Sequence, residues 1–169
     1  MLNPNTLMER AQNSKFHLQL LNWAMDHMVP FNKPHGFRIK EISNYHIRTT
    51  IPFKKRNLNH IKGLHATALA TLSEFTTGVL LLHALGAKKY RIILQRLDIS
   101  FHYQGKMAAE ANFSFDQKWL EANIYSPLQH QDSVVVPCEV HIDDLDANRL
   151  TSATIYWQLK PWGKVKTTI

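Results

Sequence analysis

Apolar and polar positions change rhythm three times along this chain. From Asn5 to about Met28, the residues Leu7, Met8, Ala11, Leu18, Leu21, Ala24 and Met28 fall near helical spacing. Glu9, Arg10, Asn13 and Lys15 stand between them, so the pattern predicts an amphipathic helix that Pro30 and Pro34 end. Residues 37–42 and 46–53 then alternate apolar and polar, as half-buried strands do, with Ser43 and Asn44 as the turn. A basic loop, Lys54-Lys55-Arg56-Asn57, leads into an almost continuous apolar run. That run predicts a long helix from about His65 to Leu85, with Gly86 as its stop signal. Four β-rich stretches follow, over 90–103, 110–116, 133–142 and 150–159. Gln104-Gly105-Lys106 and the segment 143–148 read as turns between them, and 117–131 reads as either a short helix or a wide loop.

This order predicts an α+β fold in one domain spanning 1–169, with residues 1–30 as an N-terminal helical extension. A single long helix and one antiparallel sheet must bury each other, so the sheet wraps the helix. The helix is apolar all round, which implies cover on more than one side. One sheet cannot supply both covers; the N-terminal helix or a second subunit is expected to supply the other.

One residue breaks the apolar run. Glu74 sits in the middle of the central helix, where a charge is costly unless something uses or pairs it. The same carboxylate, with His65, His83 and several threonines, argues for a buried core helix over a membrane span, and stable membrane insertion is not expected. The N-terminal Met1-Leu2-Asn3-Pro4-Asn5 lacks the charged and apolar regions of a signal peptide. Hydrophobic content of 44% and charged content of 20% describe an ordinary globular protein. A single cysteine, Cys138, excludes an internal disulfide and favours a reducing compartment, hence the cytoplasm. It lies in an apolar strand and reads as a packed thiol. The formal charge of +7 attracts anions. Scattered basic residues without a nucleic-acid-binding motif speak against nucleic acid. No His-Glu-x-x-His or Cys/His cluster suggests a metal, and Asp143, Asp144 and Asp146 lack the glycine and terminal glutamate of a calcium loop.

Asn59-His60, His65-Ala66, Ala68-Leu69, Glu74 and Gly78 together resemble the hotdog-fold thioesterase superfamily, closest to a thioesterase-like branch without an assigned function. The pattern there is an Asn, a His six residues on, and an acid nine residues later; this chain has 65 − 59 = 6 and 74 − 65 = 9. The resemblance implies a curved antiparallel sheet wrapped round the central helix and pairing of sheets in a homodimer, with a tetramer as a larger alternative. It also implies a site at the dimer interface and an acyl thioester as substrate, carried by coenzyme A or a carrier protein. No separate cofactor is expected, because coenzyme A is part of the substrate. Where the family often has His-Gly-Gly, this chain has His65-Ala66-Thr67, whose added Cβ narrows backbone approach.

Helix geometry argues for the interface independently. Nine steps of about 100° put His65 and Glu74 on opposite faces, roughly 13 Å apart along the axis. A two-fold axis could bring Glu74 of one protomer to His65 and Asn59 of the other. In that arrangement Glu74 is the general base for a water, or else the direct nucleophile. The Ala66 N–H polarises the thioester carbonyl, Asn59 positions the water or the carboxylate, and His65 orients the loop or donates a hydrogen bond. Glu74 as an interface carboxylate paired with Arg or His is the plainer alternative. His60 is expected to fix the loop. Lys54, Lys55 and Arg56, or Lys88, Lys89 and Arg91, are candidates for the coenzyme A phosphates, with a solvated basic face as the plainer reading. Phe16, Leu20, Trp23 and Met28 are expected to cap an acyl tunnel rather than touch a membrane. Hydrolysis of an acyl thioester is the activity expected. The alternatives are a non-catalytic acyl-thioester binder, favoured by the missing glycines, and a hydratase or dehydratase on the same fold.

Overall fold

The computed structural model describes residues 4–166; residues 1–3, part of the stretch read for a signal peptide, lie outside the described residues. The leading helical pattern folds as two helices, α1 (Pro4–Ala11) and α2 (Lys15–Met28), instead of one. Ser14 explains the break. Its backbone is extended, and its hydroxyl accepts from His17 N at 3.4 Å, which starts a new helix. Apolar spacing carries across this corner, so periodicity alone did not reveal it.

β1 (Arg38–Ile42) and β2 (His46–Ile51) form a hairpin. The central helix α3 (Ala66–Leu85) is followed by β3 (Tyr90–Phe101), β4 (Ala109–Ser114), a helical segment α4 (117–130), β5 (Val134–Asp144) and β6 (Arg149–Pro161). The ambiguous segment is therefore helical, with a π turn over Glu121–Tyr125. All strand pairs are antiparallel, in the order β1-β2-β4-β5-β6-β3. Because β3 pairs with β6 and not with β4, Gln104-Gly105-Lys106 is not a hairpin turn. It belongs to a link that crosses from one sheet edge to the interior, past the start of α3, where Leu64 N donates to Gly105 O at 2.8 Å.

The sheet curls round α3, which contacts β2 through β6. Leu72, Leu80 and Leu81 of α3 are fully buried in one core cluster with Ile47, Ile51, Ile142 and Ile155 of the strands. The threonines and serine inside this apolar helix keep their hydroxyls satisfied locally. Ser73, Thr76 and Thr77 donate to the carbonyls of Leu69, Leu72 and Ser73. α3 is the described helix long and apolar enough to span a membrane, and it is mostly buried in the protein. Burial also pushes the Cys138 thiol well above its usual range, so it stays a packed, un-ionised group.

The two sheet edges differ. At β1, Asn22 of α2 imitates a strand neighbour: its amide accepts from Ile39 N at 2.7 Å and donates to Ile39 O at 3.0 Å. Among the described residues, no side chain covers the edge of the longer β3 in this way. Its core-facing row, Ile92, Leu94, Leu97 and Ile99, is only partly buried, and Phe101 at its end is exposed.

Candidate functional site

The candidate residues occupy two neighbourhoods, one at the start of α3 and one in its middle. At the start, the loop is built by asparagines. Asn59 Oδ1 accepts from Ile61 N at 3.1 Å and Gly63 N at 3.0 Å, closing a turn in which Lys62 takes φ 60°. Asn57, fully buried, is the deeper anchor and was not singled out by sequence. Its amide donates to His35 O and Pro52 O, and its own carbonyl accepts from His65 N at 2.8 Å. A buried asparagine leaves no hydrophobic rhythm, so no pattern could mark it. His60, expected to fix the loop, is exposed, and Asn59 does that work instead.

His65 is the N-cap of α3. Its Nδ1 accepts from Thr67 N at 3.2 Å, so this nitrogen carries no proton and Nε2–H remains a donor. The Ala66 N–H, on an exposed residue at the positive end of the helix, has no backbone partner among the described residues.

Glu74, some two and a half turns on, is half-buried in the wall of a cavity of about 410 Å³. Phe31, Gly78, Leu82, Ile92 and Trp157 form its apolar lining, and Asn32 is the other polar side chain on it. Burial raises the Glu74 carboxyl above the ordinary glutamate range; among the described residues no charged or hydrogen-bonding partner opposes that shift. Gly78 is what allows Trp157 so close. A Cβ there would stand 2.9 Å from the indole, whose Nε1 donates to Thr77 Oγ1 at 3.0 Å. Trp157 and Asn32 belong to this site and were missed, because both come from distant chain segments that only the curl of the sheet brings to α3.

Within one chain the cavity lining includes none of Asn59, His65 and Ala66, so a single protomer does not bring Glu74 to them. On α3, Thr67, Ala70, Thr71 and Glu74 share one face and are left wholly or partly uncovered. The basic candidates also separate. Lys54, Lys55 and Arg56 line a hollow of about 570 Å³ together with Lys33. Lys88 and Lys89, both exposed, and Arg91, which donates to Gln158, lie beyond the far end of α3, about 30 Å from His65 along its axis. The four residues Phe16, Leu20, Trp23 and Met28 do not line the Glu74 cavity; Val29 and Phe31, just after α2, do.

The model of a family described as a domain of unknown function (DUF4442) matches residues 18–159. No curated protein matches the sequence. Among solved structures, a Pseudomonas aeruginosa protein of unknown function, described as a probable thioesterase, is 19% identical. The match covers 85% of this chain and 95% of that one, with a TM-score of 0.77. A Haemophilus influenzae thioesterase is 12% identical over 89% of this chain and 95% of its own, with a TM-score of 0.68. A mutant Staphylococcus aureus thioesterase is 11% identical over 79% of this chain and 100% of its own, with a TM-score of 0.64. These likenesses show the fold, the hotdog arrangement of a curved sheet around a long helix.

Proposed function

From the premise that this chain belongs to the family described as a domain of unknown function (DUF4442), we propose that it hydrolyses an acyl thioester of coenzyme A at a homodimer interface. The observation that carries this reading is Glu74: a half-buried carboxylate with a raised proton affinity, facing an apolar cavity suited to an acyl chain. The thioesterases of like fold support it at the level of architecture.

The uncovered stripe Thr67, Ala70, Thr71 and Glu74 supports the interface. Small residues at its centre let two such helices approach closely. A two-fold axis near Ala70 and Thr71 would set Glu74 against the partner's Thr67, beside the partner's Ala66. The open edge of β3, with its half-covered apolar row, fits continuation of the sheet into that partner. In this dimer Glu74 takes a proton from a water, whose oxygen adds to the thioester carbon. The resulting oxyanion accepts from the Ala66 N–H. The C–S bond then breaks, and Glu74 returns its proton to the departing sulfur, which leaves the free thiol, the carboxylic acid and an ionised Glu74. His65 Nε2–H donates to the substrate, and Asn59 holds the loop in shape. The basic hollow of Lys33, Lys54, Lys55 and Arg56 takes the coenzyme A phosphates. A single buried thiol at Cys138 fits a cytoplasmic location.

The test is free-thiol release from a series of acyl-coenzyme A substrates. Wild-type protein is expected to release thiol and carboxylic acid in equal amounts, and Glu74→Gln to lose on the order of 10²–10⁴ in rate. Unchanged turnover in that variant would remove Glu74 from the mechanism. Binding without thiol release would instead identify a non-catalytic acyl-thioester protein, the reading that Ala66 in place of glycine favours.

A further inference from the structure

α2 turns the wrong face to water. Leu21 and Met25 pack into the core, as an amphipathic helix requires. Directly opposite them, at positions i, i+4, i+7 and i+11, stand Phe16, Leu20, Trp23 and His27. Phe16 is 70% exposed and Trp23 60%. The stripe continues through Met28 at 54% to Phe31 at 69%. Between α1 and α2 it opens into an apolar hollow of about 260 Å³, lined by Leu7, Leu20, Trp23 and Met28 among others. Large aromatic side chains gathered on one solvent face mark an interaction surface.

We infer that this face of α2 docks on an anionic phospholipid surface. Charge selects that occupant. Lysines bracket the stripe: Lys15 immediately before Phe16 and Lys33 two residues after Phe31. Both are exposed. The one carboxylate of α2, Asp26, is already paired with Arg38 at 3.0 Å. Aromatic rings flanked by lysines are the composition of a helix that lies in the headgroup region, rings in the acyl boundary and amines on phosphates. A second copy of the chain is the poorer occupant, because two surfaces of this sign, on chains of formal charge +7, repel each other. Phe31 also lines the Glu74 cavity, so Phe16 and Trp23 are the part of the stripe that stands clear of the proposed site. α2 packs on β1, at the opposite end of the strand order from the open edge of β3. Nothing in this inference requires the thioester reading.

The experiment is sedimentation of the full chain with vesicles of phosphatidylcholine alone and of phosphatidylcholine mixed with phosphatidylglycerol. Binding is expected to the mixed vesicles and to fall as salt is raised. The double variant Phe16→Ser, Trp23→Ser is expected to lose roughly tenfold or more in partitioning, since each ring loses its apolar burial. Lys15→Glu with Lys33→Glu is expected to abolish the preference for the anionic lipid. A companion measurement needs no variant: brominated lipid is expected to quench wild-type tryptophan emission through exposed Trp23. No binding to mixed vesicles, no quenching, or binding indifferent to the aromatic substitutions would each overturn the inference. So would a fall in oligomeric mass in the serine variant, because the stripe would then seat a second copy of this chain.

Discussion

Ala66 tests the chemistry more cleanly than any side chain, because its contribution is a backbone N–H. Proline is well suited to the first position of a helix, where its missing donor has no intrahelical acceptor. The preceding His65 already has φ −71° and ψ 135°, the extended conformation that proline demands of its neighbour. Ala66→Pro therefore keeps α3 and deletes one donor. Thiol release is expected to fall on the order of 10²–10³-fold with thermal stability retained, read by rate assay and circular dichroism together. Glu74 sets the pH dependence. A general base must be ionised, and burial holds this carboxyl above the ordinary glutamate range. The acid limb of the kcat/KM profile is expected to lie above that range, rising with pH. Its stability effect has the opposite sense. With the folded-state pKa raised, the folded state holds the proton more tightly, so stability is lost as pH rises through the folded pKa.

At the scale of elements, the corner between α1 and α2 is tied to α3 through one histidine. The Gln12 side-chain amide donates to Asn44 Oδ1 at 2.9 Å and meets His83 Nε2 at 3.1 Å; His83 Nδ1 is buried without a partner. Burial lowers the His83 pKa, with Glu9 opposing. Here the unfolded chain binds the proton first, near pH 6.5, so stability is full above that value. It is lost as pH falls from there through the folded pKa, and protonation at Nε2 removes the acceptor that Gln12 uses. Acid titration of the unfolding midpoint is expected to show this loss, and His83→Gln to flatten it. Hydrogen exchange in α1 is expected to rise over the same window. The central helix was readable because its apolar run, its polar cap and Gly86 all point one way. The break at Ser14 was not, since Ala11 and Leu18 stand seven positions apart and either one helix or two can keep both inside.

At the scale of the whole molecule, the proposed site exists only where two chains meet. This has an arithmetic consequence. Co-refolded Glu74→Gln and Ala66→Pro proteins, each nearly inactive, form mixed dimers in half of the population. Each mixed dimer would hold one site with both groups intact, so activity is expected to return to about one quarter of wild type. No recovery in mixtures shown by mass measurement to have exchanged subunits would place the two groups outside a shared site.

The order of elements, the wrapping of a sheet about an apolar helix, and the oddity of Glu74 were determined by sequence alone. Periodicity and the cost of a charge among apolar side chains are local facts that a linear chain records. Tertiary structure alone decided what surrounds that carboxylate. Trp157 and Asn32 reach it from segments 83 and 42 residues away in sequence, and Gly78 matters only because an indole rests on it. It also decided that α2 presents Phe16 and Trp23 to solvent. Their spacing shows that they share a face, whereas which face is buried depends on how α2 docks against β1, where Asn22 bonds to Ile39.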